Sequence, residues 1–228
     1  VIASVSQGVQ RAQECHEIRV KLIISVNRHE SPDIAYRVLD AALRAANHNI
    51  VGIDLAGQEL GYSARPFDAF FERANAEGLY ETVHAGEWDG PENVREAVTV
   101  LEADRIGHGV RAIEDPAVIQ LVRERGVTLE VCPTSNLQSG VVRDLAHHPL
   151  RRLVEAGLAV TINTDDPAIS GITLTDELAL AHVALGLSLD QLRHTILNAA
   201  RAAFLPPAER AALVAQFRHQ MGMDATIT

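Results

Sequence analysis

Six short apolar runs, each ending in polar or turn-forming residues and each followed by a helical repeat, constrain this chain more than any other feature. They fall at 20–26 (VKLIISV), 50–55 (IVGIDL), 82–84, 105–108, 127–132 (VTLEVC) and 159–163. Their β-branched residues read as buried parallel strands. Between them the helical period is plain: Ile34, Val38, Leu39 and Leu43 share one face of a helix expected over 32–46. Further helices are expected over 66–77, 91–102, 116–125 and 148–155. Pro91 and Pro116 open two of them, at a position whose N–H has no intrahelical partner to lose. A helix over 2–18 precedes the first strand, and helices over 175–185, 189–203 and 207–220 follow the last. Strands and helices in regular alternation, with no Gly/Ser-rich linker, predict one parallel α/β domain over residues 1–228.

Polar residues follow nearly every strand: Asn27-Arg28-His29, residues 54–59, residues 84–87, His108, residues 133–136 and Asp165-Asp166. This is the rule of a (β/α)8 TIM barrel, whose chemistry sits at the carboxyl ends of its strands. A doubly wound sheet would concentrate function at one crevice and usually carries a Gly-rich phosphate loop after its first strand, which is missing here. Only about six of the eight strands of a barrel are counted.

The balance of charges narrows the ligand. With a formal net charge of -10 and a pI near 5.4, the chain lacks the basic face that a nucleic-acid polymer or an anionic membrane requires, so a small molecule is expected. Two cysteines, Cys15 and Cys132, and no long apolar run predict a reduced, cytoplasmic protein without membrane spans.

Three constellations carry chemistry. In VTINTDDP (160–167) a strand stops at Asp165 and Asp166, neighbouring carboxylates that repel unless a cation, a proton or a ligand lies between them. The competing reading is an Asx-turn cap on the next helix. In HAGE, His84 can ligate a metal through a neutral imidazole nitrogen and Glu87 can serve as general acid or base; the alternative is a surface turn. In RIGHG, His108 ends a strand between two glycines, as a site residue or as a satisfied turn histidine. His84, His108 and Asp165 fall at the same end of three different strands, which independent surface residues would rarely do.

The segments DLAGQE (54–59), HAGE (84–87), RIGHG (105–109), CPTSN (132–136) and NTDDP (163–167) together resemble the adenosine deaminase family of amidohydrolase-type TIM barrels, in order and in spacing. The resemblance implies zinc as cofactor, with His84 and Asp165 as ligands. It implies Glu87 as the acid/base that protonates purine N1, and His108 as the residue that holds and polarises the attacking hydroxide. Asp166 is implied to help orient that hydroxide and to hydrogen-bond purine N7, and Gly57 to donate its backbone N–H to purine N3. The LQSG after CPTSN and the AHHPLRRLVEAG beyond it resemble bacterial adenosine deaminases more than adenine deaminases.

Burial suggests supporting residues. Glu130, inside an apolar strand, is expected to face the barrel mouth and hydrogen-bond a histidine such as His108, and Asp54 to do likewise beside the metal. His29 is read as a helix cap, Trp88 as a possible pocket wall, and His147, His148, His182, His194 and His219 as solvated.

The chain departs from the family at its start: the opening strand with His-x-His, source of two further zinc ligands, and the region after it that shapes the nucleoside pocket and lid have no counterpart in it. Catalytic zinc usually has three protein ligands and a water, and His84 and Asp165 make two. The expectation is an N-terminally shortened deaminase barrel with two exposed strand edges. The expected reaction is hydrolytic deamination of adenosine, and of deoxyadenosine, to inosine and ammonia. The alternatives are an adenine or other 6-aminopurine deaminase, and an inactive fragment needing a missing N-terminal segment. The P-C-x-x-C of the cytosine deaminases is absent. Ribose contacts and oligomeric state have no signature in the sequence.

Overall fold

A computed structural model describes residues 1–45 and 49–224. Ala46, the expected last residue of the helix over 32–46, lies outside them. In chain order the elements are α1 (Ile2–Cys15), β1 (Leu22–Asn27), α2 (Pro32–Arg44), β2 (Ile50–Ala56), α3 (Asp68–Ala76), β3 (Tyr80–Ala85), α4 (Pro91–Thr99), β4 (Arg105–His108), α5 (Pro116–Arg125) and β5 (Thr128–Val131). There follow α6 (Pro133–Gln138), α7 (Leu150–Glu155), β6 (Val160–Ile162), α8 (Pro167–Ser170), α9 (Leu174–Val183), α10 (Leu189–Ala202) and α11 (Pro207–Gln220). All six expected strands form. The first helix stops at Cys15, short of residue 18, because His16 turns to extended backbone. Two helices were not foreseen, α6 and α8; with six and four residues they are too short to show a helical period, and each begins on a proline.

The strands pair in parallel in the order β1-β2-β3-β4-β5-β6, an open segment of an α/β barrel. Register sorts their side chains into two faces. Leu55, Val83, Ile106, Leu129 and Val160 stand in one row across the sheet, each 0% exposed, against the helices. Leu39 of α2, Phe70 and Phe71 of α3, Val94 of α4, Val118 and Val122 of α5 and Leu150 and Leu153 of α7 complete that core. Burying each such side chain contributes about 1.5–3 kcal/mol. The rows on the other face are polar: Ser25, Asp54, Thr82, Arg105 and Thr128, then His84, Gly107, Glu130 and Thr161. A sheet covered by helices on both sides would bury apolar residues on both. This one reserves its inner face for hydrogen bonds and charges.

The two edges differ, against the expectation that both are bare. β6 is fully buried, and Asn198 of α10 donates to the Val160 carbonyl at 3.1 Å, so a helix folds over that edge. β1 is the open edge, with Ile23 38% exposed. His148, expected to be solvated, is buried, its Nδ1 accepting the Leu150 N–H at 3.1 Å. Among the described residues no helix is long and apolar enough to cross a membrane.

Candidate active site

His84, next to last in β3, points to the inner face opposite Gly107, and a Cβ at 107 would stand 3.0 Å from His84 Nδ1. Glycine there makes room for the ring. His84 Nδ1 meets Asp54 Oδ1 at 2.9 Å, and the other Asp54 oxygen accepts the Ser25 hydroxyl at 2.9 Å. Asp54 thus holds a histidine as expected, and leaves His84 Nε2 facing the mouth. Burial works against a charged ring, but the charge and hydrogen bond of Asp54 prevail and raise the His84 pKa to about 9. A cation on Nε2 and a proton would compete for one lone pair.

His108 closes β4 with a left-handed backbone, φ 61°, and is 2% exposed. Asn136 of α6 reaches its Nδ1 at 3.1 Å and fixes the ring plane; Nε2 lies 3.6 Å from Glu87 Oε2 and 4.0 Å from Asp165 Oδ2. The His84 and His108 ring centroids are 5.2 Å apart. Burial, reinforced by the neighbouring His84 charge, pushes His108 down to about 4, so its imidazole is neutral at neutral pH. Glu87 moves the opposite way, to about 7: burial raises it, His84 opposes, and the charges of Asp165 and Glu59 raise it further. Two groups side by side are thereby set apart, one carboxyl able to keep a proton and one imidazole able to remain without it.

Asp165 follows β6, also left-handed at φ 56°, and the Ser135 hydroxyl donates to its Oδ2 at 2.7 Å. Asp166 occupies the N-cap position of α8 but its side chain makes no capping bond, so the Asx-turn reading fails. His108, Cys132 and Asp165 are the one group of three His, Cys, Asp or Glu side chains among the described residues whose ligand atoms lie within 4.8 Å of one another. Burial holds the Cys132 thiol far above its ordinary range, so it stays protonated unless a metal displaces the proton.

Gly57 caps β2 with φ 84°, and a Cβ there would come 2.8 Å from His29 Nδ1. His29 is no helix cap: its Nδ1 accepts the Gln58 N–H at 3.2 Å, and Ser31 caps α2 instead. Trp88, 48% exposed, lines two cavities, one of about 540 Å³ shared with Glu87 and one of about 370 Å³ shared with Gly57 and Glu59.

Glu130 is where the sequence reading must be corrected. It accepts from Thr82 at 2.9 Å and pairs with Arg105 at 3.2 Å, and His108 takes Asn136 as its partner instead. Register explains this: Glu130 stands opposite Gly107, and Arg105, two residues earlier on the same face, is its diagonal neighbour. Sequence reasoning also passed over Asn136, Ser135, Glu59 and Arg28. The first three lie within motifs it quoted; Arg28, 3% exposed and donating to the His84 carbonyl, had no signal beyond its place after a strand.

The donor types suit a divalent metal: the Asp165 carboxylate, and the His84 imidazole whose second nitrogen is held by another carboxylate, the arrangement that orients zinc-binding histidines; the tight group of three takes in Asp165 but not His84.

A family model described as adenosine deaminase matches residues 1–220. The adenosine deaminase of Erwinia tasmaniensis is 43% identical over 216 residues, which is 95% of this chain and 65% of that protein. That of Vibrio cholerae is 43% identical and covered to 64%, so the chain spans just under two thirds of these relatives. Among solved structures, an adenine deaminase from Arthrobacter aurescens superposes with TM-score 0.89 at 32% identity, covering 96% of this chain and 66% of that one. An amidohydrolase from Burkhoderia ambifaria with bound Zn gives 0.88 at 27%, covering 97% and 62%.

Proposed function

The chain belongs to the adenosine deaminase family, and on that premise we propose that it carries the larger part of a zinc-dependent site that hydrolyses the 6-amino group of adenosine to give inosine and ammonia. The observation that carries the reading is the convergence of Glu87 and His108, 3.6 Å apart and with opposite proton affinities, beside Asp165. His84 Nε2 and Asp165 would hold the metal, which when bound makes water acidic enough to be a nucleophile near neutral pH. Two donors fall short of the usual three, so the reading requires at least one more, from Cys132 or from outside residues 1–228.

Glu87, its pKa raised to about 7, is poised to give up a proton near neutral pH and donates it to purine N1, which draws electrons from C6 and opens it to attack. His108, neutral and with the Asn136 amide nitrogen at its Nδ1, holds and polarises the attacking oxygen through Nε2. Asp166, with no capping duty, hydrogen-bonds purine N7 through a proton on its carboxyl, since N7 only accepts, and the Gly57 N–H serves N3. Water adds across C6, the amino group leaves as ammonia, and the purine keeps the oxygen. The two free cysteines suit a cytoplasmic setting. Adenine is the second substrate to test, because the adenine deaminase superposes at TM-score 0.89.

The test is the fall in ultraviolet absorbance as adenosine becomes inosine, with this polypeptide and added zinc. Turnover abolished by a chelator supports the reading. Inertness with zinc bound, persisting after a His-x-His segment of a relative is supplied, overturns it.

A further inference from the structure

Glu59 is 2% exposed, and its carboxylate is saturated by the loop that follows β3. Oε1 accepts the Gly86 N–H at 2.5 Å and the Asn93 side-chain amide at 3.1 Å; Oε2 accepts the N–H groups of Glu87 at 2.9 Å, Trp88 at 2.7 Å and Asp89 at 3.3 Å. Four consecutive backbone donors curl around one anion, the concavity that elsewhere binds phosphate. Buried charge is costly unless matched, and the buried Arg28 guanidinium supplies the opposite charge while donating to the His84 carbonyl. Gly86 adopts φ 65°, and any Cβ there would strike Val94 at 2.4 Å, so the loop has no slack on its other side.

We propose that Glu59 is the positioning residue of this site: by gathering the N–H groups of residues 86–89 it fixes where the carboxyl of Glu87 stands relative to His84 and His108. The inference rests on the proposed deamination, since Glu87 is the group it places. A purely structural role would be satisfied by the bond to the Asn93 amide, which ties Glu59 to α4. What singles out Glu59 is that the Glu87 N–H is itself one of the four donors, so the backbone that carries the Glu87 side chain toward His108, at 3.6 Å, and Trp88 is anchored on it.

The experiment compares the zinc-loaded chain with Glu59→Gln, Glu59→Ala, Glu87→Ala and the double variant Glu59→Ala/Glu87→Ala, following adenosine turnover together with amide and carboxyl NMR signals. Glu59→Gln keeps the volume and one acceptor oxygen; a misplacement of about 1 Å should lower kcat about 100-fold with KM within about twofold. In the cycle, removing Glu59 should cost nothing further once Glu87 is gone. The amide resonances of residues 86–89 should move and exchange faster in Glu59→Gln, and the Glu87 carboxyl signal should broaden, while signals of α5 stay in place. Unmoved Glu87 signals, or additive effects in the cycle, overturn the proposal. If the wild-type chain turns over no adenosine, the functional reading fails separately, and the NMR signals of Glu87 still decide whether Glu59 positions it.

Discussion

The loop after β3 and the loop after β6 bring charged side chains to the same mouth, but they are held in opposite ways. The first is wrapped around a buried carboxylate through four backbone N–H groups, and its Glu87 is sheltered. The second is exposed: Asp165 has one hydroxyl donor, Ser135, and Asp166 makes no capping bond. An acid that must deliver a proton to one ring nitrogen needs a fixed position before substrate arrives. A metal ligand can be drawn into place by the cation, whose charge supplies what the loop lacks. The protein therefore spends its buried polar groups on the first loop and leaves the second to its ligand.

The comparison can be broken most decisively at Glu87. Glu87→Gln should lower turnover about 10²–10⁴-fold with zinc content unchanged by elemental analysis; a variant retaining most of its rate would remove the acid from the fixed loop. Next comes Asp54→Asn, which frees the His84 ring and should weaken zinc binding about 10–100-fold, measured by competition with a chromogenic chelator. Ser135→Ala tests the open loop and should cost about 1 kcal/mol, or about fivefold in zinc affinity. A loss as large as that of Asp54→Asn would mean the second loop is as preorganised as the first.

The smallest effect on either loop is expected from His148, whose burial lowers its pKa to about 4. The unfolded chain binds its proton near pH 6.5 and the folded one does not, so this histidine's share of stability is complete above pH 6.5 and is lost as pH falls toward 4. His148→Asn keeps an acceptor for the Leu150 N–H and should flatten the stability curve in that window. Denaturant titrations across it would show this, with zinc affinity at neutral pH unchanged.

These contrasts also show what the sequence could convey. The six strands and the end at which chemistry collects were legible, because β-branched runs stop at polar residues in a pattern that survives without coordinates. His84, Glu87, His108 and Asp165 were legible as strand-end residues, and they do meet. Support across the fold was not: Glu59 lies 27 residues before Gly86, and only the packing of two loops puts its carboxylate among those N–H groups. Glu130 was misread for a related reason. A strand's own residues reveal that a charge is enclosed, but its partner is set by register with the next strand, and there Glu130 meets Arg105.

Two of the three non-glycine residues with left-handed backbone among those described are His108 and Asp165, at φ 61° and 56°. Side chains other than glycine, asparagine or aspartate enter that region at a cost of about 1 kcal/mol or more. Heat tolerance and chemistry are thus opposed at His108 above all. A library sorted on thermal survival alone would enrich glycine at 108 and leave aspartate at 165. Its winners would be sturdier proteins lacking an imidazole at the mouth, and sorting for retained turnover would be needed to keep them out.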